Sequence, residues 1–375
     1  MHDPLQLERP RAQATATGSR VTARVGGADI WFESPDVALR PSVEGFVAAF
    51  LLPALELRRP LLVAGYACPE FVAGTRQVVE RAHQQWGLPL LPPRYAAAIG
   101  ELAGARSPRA GLLFSGGINS FHALLASGRH VDDLVFVQGF DLPLTDVSRA
   151  LRCERSLSEV AEATSTRAIR VRTNLRMHPL FQHLSWERAR GGALAAVGHV
   201  LSDHITAALV GSPGPFSVRG WSSASLRVDQ VAGGFDAGQK LRAIAQEPLL
   251  RQHLRVCREN RGSDPNCSCC ERCLRTRMTL LAEGQSSDYR VFESDATLAE
   301  RLDAMERIVD PSLFPVYQTL ITRPLPADVA LAASRLLARS RVTHRRLRRR
   351  AWLGRVGSAA RRIWRPSHSA YARPA

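Results

Sequence analysis

Lysine is almost missing from this chain. Of 50 basic residues only Lys240 is a lysine and the rest are arginine. Arginine keeps its charge and takes planar, two-pronged partners, whereas a lysine ammonium is compact and can lose its proton when buried. Long apolar runs are lacking too. The best stretch, Ala193 to Val210, is broken by His199, Asp203 and His204, and falls short of the roughly 18 apolar residues of a membrane span. The N-terminus has acids and proline where a secretory signal would have its apolar block. The expectation is a cytoplasmic protein without a transmembrane segment. Acid is absent over the last 41 residues, which carry 13 arginines from Arg335 onward, so most of the formal charge of +16 sits there. The body is nearly neutral, which argues against a basic groove for nucleic acid along the folded domain.

Against those absences stands one dense stretch. Leu112-Leu113-Phe114 is an apolar run, Ser115-Gly116-Gly117-Ile118-Asn119-Ser120 is a two-glycine turn flanked by serines, and Phe121-His122-Ala123-Leu124-Leu125 follows in helical rhythm. A strand feeding a glycine-rich turn that opens a helix makes an anion site, because unpaired N–H groups and the positive end of the helix dipole converge there. Glycine lets an oxygen-rich ligand approach the main chain, and Ser115 and Ser120 add hydroxyl donors. The spacing is not G-x-x-x-x-G-K-[ST] and no lysine follows, which excludes the common triphosphate loop. Taken alone, a plain tight turn explains the tripeptide equally well.

Cysteine supplies context. Cys257, Cys267, Cys270 and Cys273 form a C-x9-C-x2-C-x2-C array with Cys269 inside it, so five of the seven cysteines crowd into 17 residues. Four thiolates at such spacing suit a tetrahedral zinc ion. Disulfides are rare in a reducing cytosol, and an iron–sulfur cluster is the rival occupant.

The loop resembles the PP-loop, S-G-G-x-D-S, of the ATP pyrophosphatases, a superfamily that includes GMP, NAD and asparagine synthetases and tRNA-thiolating enzymes. Asn119 stands where that superfamily usually has aspartate. Cys257 together with Asn266-Cys267-Ser268-Cys269-Cys270-Glu271-Arg272-Cys273 is similar to the C-terminal zinc motif of the 7-cyano-7-deazaguanine synthases, with Ser268 in place of the motif's glycine. Both motifs occur in that family's order, and the likeness spans roughly residues 110 to 281. It implies ATP at Ser115, Gly116, Gly117, Asn119 and Ser120, with Mg2+, and a structural Zn2+ on Cys257, Cys267, Cys270 and Cys273.

Along the chain, residues 1 to about 18 read as irregular. Val21, Ala23 and Val25, then Gly26-Gly27, then Ile30 and Phe32 predict a hairpin. Helices are expected over 47–57 and 71–86 and a strand over 60–65, giving a small N-terminal α+β unit over 1–105. From 106 to 285 the texture is alternating. Strands are expected at 111–114, 134–137, 168–173 and 207–210, with helices at 120–126, 146–163 and 186–201. The fold class is therefore α/β, a doubly wound, mostly parallel sheet, HUP-like by resemblance, followed by a helical region over 286–353 and a basic tail over 354–375.

Ligands in such sheets bind beyond the C-terminal strand edges. Ser115 to Ser120, Gly139-Phe140-Asp141, Asn174 and Gly211-Ser212 all fall at such edges. Asp141 is a candidate for ribose or magnesium, or a turn acid. Lys240 is a candidate for touching phosphate or substrate, or a chance survivor on the surface; its spacing from Asp236 suits a surface ion pair. Residues 212–234 read as an active-site lid or an irregular loop. His178, His183 and His199 have no ligand-like spacing and read as ordinary surface or core histidines. Arg345 to Arg350, interleaved with Leu347, Trp352, Ile363 and Trp364, suits an anionic partner, whether RNA, a membrane surface or an acidic protein, or is a solvated tail.

The resemblance implies AMP-forming chemistry. ATP would adenylate a carboxylate of a small-molecule substrate, release pyrophosphate and lead to an amide or nitrile, with Lys240 and Asp141 as catalytic candidates. tRNA thiolation, with Cys269 as the reactive thiol, is a second expectation, and a nucleotide-binding scaffold that does not cleave is a third.

Overall fold

A computed structural model of the chain describes residues 3–95, 108–182, 185–211, 218–231 and 233–363. It resolves two compact units, one of residues 1–267 with 288–292 and one of 268–287 with 293–375.

The first unit is built on a single sheet of eleven strands: β1 Leu5–Leu7, β2 Arg11–Thr15, β3 Gly18–Val25, β4 Ala28–Ser34, β5 Leu61–Val63, β6 Arg94–Tyr95, β7 Ala110–Leu113, β8 Asp133–Gln138, β9 Arg167–Thr173, β10 Ala207–Val210 and β11 Arg227–Gln230. Their order is β11-β10-β7-β8-β9-β4-β3-β1-β5-β6, with β2 on β3. Pairing is parallel except at β1–β3, β2–β3, β3–β4 and β4–β9. Leu134, Val135 and Phe136 of β8 and all of β10 are buried on both faces, the mark of interior parallel strands.

Helices α1 Val43–Glu56, α2 Pro69–Trp86, α3 Ile118–Ala126, α4 Val147–Ala163, α5 Trp186–Val200, α6 Ala237–Ile244 and α7 Pro248–His253 belong to this unit. Their starts are written locally. Asp146 accepts from Arg149 N at the head of α4, and Asp236 and Gln239 form a capping box on α6. Phe46 and Phe50 of α1 are wholly buried, each contributing about 2 kcal/mol by removal from water. Helix α1 lies against α5 so closely that a Cβ at Gly192 would collide with Ala48 O.

The hairpin over β3 and β4 follows the sequence pattern, but the N-terminal strands do not stand apart from the parallel ones. Strand β4 pairs antiparallel with β9 through Phe32↔Thr173 and Glu33↔Arg172. Residues expected to be irregular at the start of the chain are strands. Leu5 and Leu7 bury their side chains while β1 lies between β3 and β5, so two leucines in alternation were enough once a neighbouring edge was present. The segment expected as a lid also differs. Val218–Trp221 forms a 3-10 turn and Arg227–Gln230 is β11, paired with β10. Residues 212–217 and 232 of that segment, and His183, lie outside the described residues.

The second unit comprises α8 Glu271–Ala282, α9 Leu298–Ala304, α10 Phe314–Ile321 and α11 Ala327–Ile363. Leu274, Met278, Leu298, Leu302, Tyr317 and Leu336 bury its core. Arg345 to Arg350 lie on exposed turns of α11, and the tail beyond 363, with Trp364, is outside the described residues. Among the described residues no helix is long and apolar enough to cross a membrane.

Candidate functional site

The strand order β9-β8-β7-β10-β11 runs one way from β7 through β8 to β9 and the other way through β10 to β11. Open α/β sheets bind ligands at the point where the order reverses, outside the carboxyl ends of the strands. Here that point is the crevice between β7 and β10.

Ser115 to Ser120 leaves β7 at this crevice. Phe114 N donates to Val135 O at 2.8 Å, the last tie to β8. Gly116 then turns through φ 73°, a left-handed conformation that glycine adopts without strain, and its carbonyl accepts from Arg255 N at 2.8 Å. Gly117 caps α3 without any side-chain hydrogen bond, which leaves the first N–H groups of the helix for another acceptor. Ser120 Oγ donates to Gly117 O at 2.9 Å. Its hydroxyl hydrogen is engaged with the turn, while Ser115 is exposed.

Strand β10 ends at Gly211, where a Cβ would collide with Asn119 O, so glycine is what lets this strand exit abut the start of α3. Helix α6 packs on α3 and carries Lys240, whose exposure is 0%. Lys240 Nζ donates to Asn119 Oδ1 at 3.1 Å and to Gly211 O at 3.3 Å. Both acceptors are neutral, and among the described residues no carboxylate pairs with this ammonium. Burial pushes its pKa below the ordinary lysine value. The expected surface ion pair with Asp236 is not formed. Asp236 Oδ1 instead accepts from Gln239 N at 2.8 Å as a helix cap, and Lys240 turns inward.

His122, one turn beyond Asn119 on α3, was missed in the sequence although i,i+3 spacing puts the two on one face. It is 6% exposed, its Nδ1 has no hydrogen-bond partner among the described residues, and its ring centroid lies 5.9 Å from that of Phe235. Burial first, and then the Lys240 charge, push its imidazole below the ordinary range.

Asp141 sits apart from this cluster, on the turn that leaves β8, where Gly139 N donates to Leu142 O at 2.8 Å. Its main-chain oxygen accepts from Asn260 Nδ2 at 2.9 Å. Among the described residues no hydrogen bond or ion pair joins its carboxylate to Lys240 or Asn119. Asn174, expected at a ligand edge, is committed to the sheet. Its Oδ1 accepts from Trp31 N at 2.8 Å and its Nδ2 donates to Asp29 O at 2.9 Å. His178 and His199 are core residues, bonded through Nε2 to Val25 O and Trp221 O.

The sulfur atoms of Cys257, Cys267, Cys270 and Cys273 lie within 4.8 Å of one another, and all but Cys267 are fully buried. A tetrahedral zinc site with bonds of about 2.3 Å needs sulfurs about 3.8 Å apart, so the set fits a single metal ion with little adjustment. The loop is braced for it. Asn266 Oδ1 accepts from Val256 N and Cys257 N at 2.8 and 3.2 Å, its Nδ2 donates to Leu254 O at 2.7 Å, and Asn260 N donates to Cys257 Sγ at 3.3 Å. Cys269 is outside the four-sulfur set. Ser268 adopts φ 56°, the conformation that a glycine would take without strain. Its Oγ accepts from Glu293 N at 3.0 Å and its carbonyl from Arg277 at 2.9 Å, so local hydrogen bonds hold a serine in a conformation that favours glycine.

Comparison with family models, with curated proteins and with solved structures gives no match to this chain. The functional reading therefore stands on the geometry of these residues.

Proposed function

We propose that the protein is a PP-loop ATP-binding enzyme of the AMP-forming type, with a doubly wound, HUP-like first unit, that adenylates a carboxylate of a small molecule on the way to a C–N bond. The observation that carries this reading is Lys240. A wholly buried ammonium resting on two neutral oxygens, beside an uncapped helix start at a strand-order reversal, is a charge still awaiting its counter-ion. A nucleotide phosphate supplies it. The free N–H groups at Gly117 to Asn119 would hold the β- and γ-phosphates. A substrate carboxylate oxygen would attack the α-phosphorus, the bond to the bridging oxygen would break, and the developing charge on pyrophosphate would be held by those donors and by Lys240.

Asn119 Oδ1 already faces an ammonium and is a poor magnesium ligand. Magnesium is therefore assigned to the bound triphosphate, with Asp141 as the acid at the neighbouring strand exit. Zinc is assigned to Cys257, Cys267, Cys270 and Cys273, where four thiolates leave no open position and the role is structural. A polynuclear iron–sulfur cluster would spread its thiolates more widely than these sulfurs are spread. Reduced thiols fit a cytoplasmic setting, and the arginine run over 345–350 fits an anionic partner.

The same Asn119–Lys240 contact favours one second reading, a nucleotide-binding scaffold that does not cleave. Calorimetry with ATP tests binding, and pyrophosphate release across candidate carboxylates separates the two readings. No affinity for ATP would end both.

A further inference from the structure

A second site adjoins the phosphate loop within the first unit. A cavity of about 350 Å³ opens on Ser115 and Gly116 and is walled by α4 and by the chain from Gln252 to Arg255, a size that suits a small ligand. Phe136, Leu157 and Leu254 give it apolar surfaces, and Arg152 and Arg255 bring charge.

Those arginines have donors to spare. Among the described residues, Nε and Nη2 of Arg152 and Nε of Arg255 are buried from solvent without a hydrogen-bond partner. In arginine, Nε and Nη2 form one edge of the guanidinium, the pair that grips two oxygens of a carboxylate or phosphate side-on. Arg255 is held in place for such a task. It is 8% exposed, its Nη2 donates to Asn260 Oδ1 at 2.9 Å, and its main chain is tied to Gly116 O. The one carboxylate in the lining, Glu159, approaches His253 Nδ1 at 3.6 Å. Ser156 Oγ meets that same nitrogen at 2.9 Å. With both groups on one ring atom, these three side chains do not form a serine–histidine–acid relay.

We infer that this cavity takes a small organic oxyanion, a carboxylate or phosphate monoester carried on an apolar body, clasped by Arg152 and Arg255. The inference uses side chains outside the phosphate loop and stands whether or not that loop takes a nucleotide.

The test is titration calorimetry on the full chain with benzoate, phenyl phosphate and inorganic phosphate, and with ATP in parallel. One of the aryl probes is expected to bind at least about tenfold more tightly than inorganic phosphate, and the preferred probe identifies the head group. Arg152→Gln and Arg255→Gln are each expected to weaken that probe about tenfold or more, with ATP affinity unchanged in Arg152→Gln. Should thermal melting show that a glutamine variant is unfolded, Arg152→Lys keeps the charge, loses the side-on pair and is expected to show the same loss. Failure of both aryl probes to bind the wild type, or equal binding by a folded Arg152 variant, overturns the inference. Loss of ATP binding alone, with the aryl probe still bound, removes the nucleotide reading and leaves this one in place.

Discussion

Lys240 Nζ and Asn119 Oδ1 are 3.1 Å apart although 121 residues separate them in the chain, and the contact joins the chain's one lysine to the one position where its loop departs from the PP-loop pattern. An ammonium opposite an amide keeps its charge available, whereas one opposite a carboxylate would be neutralised. Lys240→Met removes a buried charge at nearly constant volume. It should raise the stability of the ligand-free protein by about 1–3 kcal/mol while lowering ATP affinity about tenfold or more. Asn119→Asp should also stabilise the free protein, and should weaken ATP in the absence of magnesium by placing like charges together. Urea melts and calorimetry on the same samples check both, and a Lys240→Met protein that bound ATP normally would remove the phosphate role.

At Ser268 two effects of similar size oppose each other. A non-glycine residue in the left-handed region costs roughly 1 kcal/mol or more, and the hydrogen bond from Glu293 N returns about 1 kcal/mol. Ser268→Gly should therefore be close to neutral, whereas Ser268→Ala keeps the strain, loses the bond and should destabilise by about 1 kcal/mol. Chemical denaturation of the pair gives the ranking, and an alanine variant as stable as the glycine one would refute it.

The four-sulfur set should hold one metal ion per chain by elemental analysis, with Cys257→Ser and Cys273→Ser losing it and Cys269→Ala keeping it. Because the metal binds the folded loop, a strong chelator should lower the melting temperature. Equal metal content in Cys257→Ser would contradict the assignment.

Burial holds His122, His178, His199 and His253 below the ordinary imidazole range. Burial favours the neutral imidazole in the folded protein relative to the unfolded chain, so stability declines as pH falls through the ordinary imidazole range toward the lower folded pKa. His199→Gln, which loses one of the four, should have a shallower decline than wild type. Parallel slopes in the two proteins would show that His199 does not titrate in this way.

What the sequence made legible was local. The turn from β7 into α3 and the cysteine spacing lie within short windows, where glycine, capping and ligand geometry act between near neighbours. Rarity singled out Lys240, but its partners depend on how α6 packs against α3, and no periodicity reports that. Arg152 was invisible for the opposite reason, since one arginine among so many carries no signal until its donors are seen to be unmatched. The strands at Leu5–Leu7 and Arg227–Gln230 are too short to announce themselves and exist because a neighbouring edge completes their hydrogen bonds. Asp236 had an evident partner in Lys240 by spacing, and the backbone N–H of Gln239 outcompeted it.

The seam between β4 and β9 bears on how the molecule is made. Trp31 and Asn174 meet across 143 residues, so a ribosome releases the β3–β4 hairpin long before the strand that will cover its outer flank. Until then β4 offers an open row of amides and carbonyls to any passing strand. A nascent chain halted before residue 173 therefore exposes a strand edge that the complete fold covers.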